Sequence, residues 1–212
     1  MRIEQVEIFH LCFEYPEAQR FRYAGGVCTA RLTSIVRLRT DTGLVGVGSA
    51  YSHPGMMDLV LRGQLVDLLV GEDATDVEGL WDRMYGMTRW YGRKGAAMTA
   101  IGAVDVALWD LRGKAAGKPV YELLGGSDST CPAYASNLLW KDSPEELAEE
   151  AAGYVQAGFL RMKMRLARTE DYDRAAVLAV REAIGPDRDL MVDASMRYHP
   201  ELAKRMGDFF AE

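Results

Sequence analysis

Phe159-Leu160-Arg161-Met162-Lys163-Met164-Arg165-Leu166 and, after one helical stretch, Leu190-Met191-Val192-Asp193-Ala194-Ser195 are the segments whose reading decides the fold. Both are short runs rich in apolar residues, too brief for a helix and of the length of a strand. Side chains alternate along a strand, so Lys163 and Arg165 share one face of the first segment while Met162 and Met164 share the other. If the methionines meet covering helices, the two cations point into the interior of the sheet, where a charge is costly unless it is used. The second segment runs apolar and ends on a carboxylate, Asp193. In parallel α/β sheets ligands gather at the carboxyl ends of strands, so Asp193 is placed to meet a hard cation such as Mg²⁺. One carboxylate does not make a metal site, and further acids are expected.

Outward from these segments the rhythm repeats. Cys131 to Leu138 reads as a strand. Ser143-Pro144-Glu145-Glu146 supplies an N-cap serine, proline at the first helical position and a reciprocal glutamate, opening a helix that carries Leu147, Ala151, Tyr154 and Val155 and closes at Gly158. Thr169 caps a second helix bearing Val177, Val180 and Ile184, stopped by Gly185-Pro186. His199 to Phe210 reads as a third. Three successive strand–helix pairs imply a parallel sheet with helices outside. A closed eight-fold barrel needs about 250 residues, or roughly 31 per unit, so the stretch from 129 to 212 has room for about 2.7 units. The chain then ends either as a small open sheet or part-way round a TIM-like (β/α) barrel, as its first three βα units, incomplete in this chain. On the barrel reading the native polypeptide is expected at roughly 380 residues.

The earlier half differs. Val36-Arg37-Leu38-Arg39 alternates before Thr40-Asp41-Thr42-Gly43, and Leu44 to Gly48 resumes the alternation, which is a β-hairpin. Glu14 to Gly26 has no clear period and reads as a loop. From Pro54 to about Gly117 the pattern is helical, with Met57, Leu61, Leu65 and Leu69 on one stripe and Ile101, Val104, Leu108 and Leu111 on another. Residues 1–127 thus read as an α+β domain and 128–212 as a strand–helix domain, an open sheet or a partial barrel.

The 212 residues carry 25 Lys and Arg against 31 Asp and Glu, a net charge of -6. That balance, without a basic block, argues against nucleic-acid binding. No apolar run reaches the roughly 18 to 20 residues of a membrane span, and the start Met1-Arg2-Ile3-Glu4 lacks the apolar run of a signal peptide. A soluble, cytoplasmic protein is expected. Cys12, Cys28 and Cys131 form no metal or disulfide pattern and are read as small buried residues. Gly46-Val47-Gly48 lacks the following helix that a dinucleotide loop needs. His53, in Ser52-His53-Pro54-Gly55, could reach a ligand; His10 and His199 read as incidental surface residues, since nothing pairs them with a nucleophile.

Ala103-Val104-Asp105-Val106-Ala107-Leu108-Trp109-Asp110-Leu111-Arg112-Gly113-Lys114, continuing to Gly117-Lys118-Pro119-Val120-Tyr121-Glu122-Leu123-Leu124-Gly125-Gly126, resembles the mandelate racemase/muconate lactonizing enzyme family of the enolase superfamily. Lys163-Met164-Arg165, Arg181 to Asp187 and Leu190 to Ser195 follow in the family's order, so the resemblance covers essentially the whole chain. It implies a capping domain whose loops, about Glu14 to Gly26 and Ser52 to Gly55, close over a modified barrel. It also implies Mg²⁺ and removal of the proton α to a carboxylate, the metal stabilising the enediolate. By position Asp193 resembles the first of three acidic metal ligands, with the other two beyond Glu212.

Two departures stand out. The family's second lysine is Arg165, a poor general base and a better fixed cation. Ser195 replaces an asparagine and shortens its reach. The resemblance therefore implies one-sided chemistry on a small-molecule carboxylate, a sugar acid, most simply a dehydratase with Lys163 and Arg165 as charge stabilisers and His53 and Ser195 as substrate contacts. A racemase or cycloisomerase is the close variant, and a truncated non-catalytic homologue acting in assembly or ligand binding is the rival. An open sheet leaves apolar edges, so association, as a homo-oligomer, is expected.

Overall fold

The computed structural model describes residues 1–23 and 25–211. The chain forms two compact units, Met1–Glu14 with Ala30–Ser129, and Tyr15–Thr29 with Thr130–Glu212.

In the first unit β1 (Ile3–Glu14), β4 (Ala30–Thr40) and β5 (Val45–Ala50) form an antiparallel sheet in the order β1-β4-β5. Strands β2 (Phe21–Tyr23) and β3 (Gly26–Cys28), intervening in sequence, belong to the second unit. The turn between β4 and β5 has Gly43 at φ +80°, a conformation glycine adopts without a Cβ penalty. Helical structure starts at Pro54 as α1 (Pro54–Val60), passes through a π turn at Leu61–Leu65 into α2 (Val66–Leu69), and resumes as α3 (Val77–Gly92), α4 (Ala96–Ala116) and α5 (Val120–Leu123). Val36 and Leu38 of the sheet are fully buried with Ile101, Val104, Leu108 and Leu111 of α4.

The sheet and α4 touch closely because β5 is nearly bare on that side. A Cβ on Gly46 would lie 2.1 Å from the Ala107 carbonyl oxygen, and one on Gly48 would lie 1.9 Å from that of Ala103. The same helix satisfies the free backbone of β5. Asp110 accepts the Val47 N–H at 2.9 Å, and Lys114 donates to the Val45 carbonyl at 2.7 Å and to Asp110 at 2.6 Å. Gly46-Val47-Gly48 is thus a packing device, and the acid and lysine of the Trp109-Asp110…Lys114 motif are structural.

The second unit holds the hairpin β2 (Phe21–Tyr23) and β3 (Gly26–Cys28), then β6 (Ala135–Leu138), α6 (Pro144–Gln156), β7 (Arg161–Arg165), α7 (Glu170–Ile184), β8 (Asp189–Asp193) and α8 (Pro200–Phe210). Strands β6, β7 and β8 are parallel and adjacent in that order, with Met164 opposite Val192 and Arg165 opposite Asp193. The expected caps form. Ser143 accepts from Glu146 N–H at 3.3 Å and Thr169 from Tyr172 N–H at 3.2 Å. Met162 and Met164 are fully buried against Leu147, Ala151, Ala176, Val180 and Ile184, as their face of the strand requires. Each such burial contributes about 1.5–3 kcal/mol.

Several expectations are corrected. Glu14 to Gly26 is not a plain loop: it contains a 3₁₀ turn at Glu17–Gln19 and the β2–β3 pairing, whose three-residue strands are too short to show a period. Arg22 ties this hairpin to the segment after β6, through an ion pair with Asp142 and a bridge to Trp140. The cysteines are not buried. Cys12 and Cys131 are exposed and Cys28 is half-buried, because β1 runs past the core it covers and residue 131 precedes β6. His10 is not incidental, since Nδ1 lies 2.8 Å from Ser34 Oγ and Nε2 lies 3.0 Å from Asp58. Arg62, then His10, holds the Asp58 carboxyl below its ordinary range. His199 is the N-cap of α8, accepting from Leu202 N–H at 3.4 Å. Among the described residues no helix is long and apolar enough to cross a membrane.

Candidate active site

Strand alternation delivers Lys163 and Arg165 to the face of β7 opposite the buried methionines, and parallel register puts Asp193 directly beside Arg165. Asp193 ends β8 with its side chain 31% exposed. One carboxylate oxygen pairs with the Arg165 guanidinium and lies 3.5 Å from Lys163 Nζ. The other accepts the Ser195 N–H at 2.8 Å. Arg165 also donates to Ser195 Oγ at 3.3 Å. The Ser195 N–H, opposed by partial burial and aided by Arg165 and Lys163, holds the Asp193 carboxyl below its ordinary range. Lys163 Nζ lies 5.7 Å from the centre of the Tyr134 ring, within cation–π range.

The group Lys163, Arg165, Asp193 and Ser195 therefore forms one cluster at the carboxyl ends of two parallel strands, with one more positive than negative charge. Such a cluster suits an anionic ligand: two fixed cations offer charge-assisted hydrogen bonds to a carboxylate. Asp193 offers a hard oxygen at a strand end, as one corner of a divalent-cation shell demands. Among the described residues no group of three or more His, Cys, Asp and Glu side chains is arranged to hold a metal, so the fit is that of a single ligand. His53 stands in the first unit as the N-cap of α1, where its Nδ1 accepts the Gly55 N–H at 3.2 Å.

The backbone beyond the strand ends is unusual. Ala167, Ser195 and Met196 adopt φ values of +71°, +51° and +60°. Such conformations cost free energy in non-glycine residues and persist where surrounding contacts enforce them. Those contacts involve residues that the alternation pattern does not single out. Asp173, fully buried in the first turn of α7, accepts the N–H groups of Ala167 at 2.8 Å and Arg168 at 3.2 Å, and the Tyr198 hydroxyl at 2.7 Å. Burial, then this hydrogen bond, pushes the Tyr198 phenol well above its ordinary pKa. Trp140 Nε1 donates to the Leu166 carbonyl at 3.0 Å, and the Tyr172 hydroxyl lies 3.0 Å from the Lys141 carbonyl. A signal for Asp173 exists in the sequence: it falls on the stripe Asp173, Ala176, Val180, Ile184 that α7 buries.

Comparison with known proteins gives the cluster its context. Residues 10–125 match the family described as mandelate racemase/muconate lactonizing enzyme, N-terminal domain, and residues 146–212 match the enolase C-terminal domain-like family. The arabinonate dehydratase of Saccharolobus solfataricus is 35% identical over 97% of this chain and 57% of its own length. The 3,6-anhydro-alpha-L-galactonate cycloisomerase of Streptomyces coelicolor is 38% identical over 80% of this chain and 48% of its own. Among solved structures, a racemase from Streptomyces coelicolor A3(2) with bound magnesium superposes with a TM-score of 0.89 at 30% identity, over 99% of this chain and 59% of that one. The chain spans about half the length of the curated relatives it matches. By the extent of these matches the chain belongs to the mandelate racemase/muconate lactonizing enzyme family of the enolase superfamily.

Proposed function

We propose that the protein is a Mg²⁺-dependent sugar-acid dehydratase that removes the proton α to a carboxylate and expels the β-hydroxyl, with residues 1–127 as its capping domain and 128–212 as the opening three βα units of its barrel. The observation that carries this reading is the placement of two fixed cations, Lys163 and Arg165, against a carboxylate at the ends of adjacent parallel strands. Arg165 binds the substrate carboxylate, since a guanidinium keeps its charge and matches a carboxylate's geometry. Lys163 stabilises the negative charge that grows on the substrate as the α-proton leaves, an effect worth most when the donor is already in place. Asp193 would be one ligand of a bound Mg²⁺, which would supply Lewis-acid stabilisation of negative charge on the substrate. Ser195 positions a substrate oxygen. A homo-oligomer is the proposed assembly.

The reaction balances without a redox partner: the C2 proton goes to a base, the C3 hydroxyl leaves as water, and the enol product tautomerises to a 2-oxo-3-deoxy acid. Cycloisomerisation is the second reading, favoured by the 38% identity to the Streptomyces coelicolor cycloisomerase.

The test is turnover by the full-length native polypeptide with Mg²⁺ across a panel of aldonic and aldaric acids, following 2-oxo acid formation. Dehydration of at least one acid, abolished by chelation and by Asp193→Ala, is expected. Solvent-deuterium incorporation at C2 without 2-oxo acid would favour the isomerase reading. No proton exchange from any acid would defeat both.

A further inference from the structure

We infer that Asp173 and Tyr198 are positioning residues: their buried hydrogen bond braces the segment after β7 against the segment after β8, and so sets where Asp193 stands relative to Lys163 and Arg165. The inference rests on the function proposed for that cluster and extends it to two residues outside the cluster.

Three observations converge. The Asp173 carboxylate is completely buried, and its partners come from two different segments: Ala167 and Arg168 N–H follow β7, and the Tyr198 hydroxyl follows β8. A buried carboxylate is a poor device for stability alone, because its desolvation costs several kcal/mol and an apolar side chain would fill the space more cheaply. What it supplies is a fixed geometry between the groups it joins. The second observation is that both joined segments hold left-handed non-glycine residues, Ala167 on one side and Ser195 and Met196 on the other. These conformations need enforcement. The third is the shortness of the path to the cluster. Leu166 N–H donates to the Asp193 carbonyl at 3.0 Å, and Arg197 N–H donates to that of Ala194 at 3.0 Å, so the residues beside the brace are the ones that end β8.

Tyr198→Phe deletes one hydroxyl and keeps the ring, while Asp173→Asn alters the acceptor itself. Asp189→Asn serves as control: it removes the exposed 3.0 Å pair with Arg161 at the opposite end of the same two strands. All three are made in the full-length native polypeptide, and amide hydrogen exchange and Mg²⁺ affinity by calorimetry are measured. Tyr198→Phe is expected to accelerate exchange in both segments, at residues 166–168 and 194–198, and to weaken Mg²⁺ binding roughly 3- to 10-fold, the reach of one lost buried hydrogen bond. The control is expected to do neither. Faster exchange confined to 194–198, or an unchanged Mg²⁺ affinity beside a lowered melting temperature, would overturn the inference and leave a merely structural contact. If the unaltered protein binds no Mg²⁺, the proposed function fails, and exchange in the two segments still decides whether the brace exists. Should Asp173→Asn fail to fold, Tyr198→Phe carries the test.

Discussion

Arg165 illustrates how far a single side chain can be read from its neighbours in sequence. Alternation along Arg161 to Arg165 is enough to put its guanidinium on the face away from the buried methionines, and the apolar run ending at Asp193 is enough to put a carboxylate at a strand end. Their pairing, and the hydrogen bond from Arg165 to Ser195, then follow from parallel register. Arg165→Met removes the charge while keeping the length, and is expected to raise KM for the acid substrate roughly 10- to 100-fold in steady-state kinetics, the worth of a charge-assisted hydrogen bond pair. An unchanged KM would place the substrate carboxylate elsewhere. Asp173 shows in the sequence as part of the stripe that α7 buries, but its pairing with Tyr198 stays hidden because the two are 25 positions apart and the contact is made by tertiary folding. Tyr154 on α6 instead pairs locally, with Glu150 one helical turn away. Burial, and then its hydrogen bond to Glu150, pushes its phenol to about 12 from an ordinary 10.0. A raised phenol favours the folded state while it stays protonated, so this contribution is complete below about pH 10 and is lost as the pH rises through about 12. Absorbance titration should show a tyrosine transition near that upper value, missing in Tyr154→Phe.

Elements were legible where a local rule acts alone. Ser143, Thr169 and the Gly185-Pro186 stop define α6 and α7 because capping uses residues three or four apart. The hairpin β2–β3 was not legible, since three residues are too few for a period and its anchor, Arg22 on Asp142, is 120 residues distant in sequence. Gly46 and Gly48 lack the following helix that a phosphate loop needs, and their use appears only once α4 is laid against β5. Gly48→Ala would drive a methyl into the Ala103 carbonyl, and an expected loss of about 2–3 kcal/mol should be measurable by chemical denaturation. Asp110→Ala leaves the Val47 N–H of β5 without its acceptor and Lys114 with only the Val45 carbonyl, for an expected loss of about 1–2 kcal/mol in the same assay. A neutral result for both would mean that β5 and α4 have room to separate.

At the scale of the molecule, the change of rhythm near residue 128 marks the passage from antiparallel hairpin and helices to strand–helix repeats, and both patterns are found as such. The distribution of exposed apolar surface carries a prediction of its own. Phe9 is 43% exposed and Leu11 52%, alternate residues on one face of β1, and Val47 of β5 is 41% exposed on the same side of the sheet. In the parallel sheet, β6 and β8 are each paired on one side, so each leaves one row of backbone groups without a strand partner among the described residues. Unpaired strand edges and clustered exposed apolar residues both favour association. The polypeptide of residues 1–212 is therefore expected to show mass-dependent association in sedimentation velocity, growing with concentration and persisting in high salt, because apolar contacts are not screened. Phe9→Ser together with Leu11→Thr should shift the distribution toward the monomer if the β1 face is responsible, whereas association unaltered by these changes would assign it to the edges of the parallel sheet. A species sedimenting at 23.6 kDa across the whole concentration range would show that neither surface drives association.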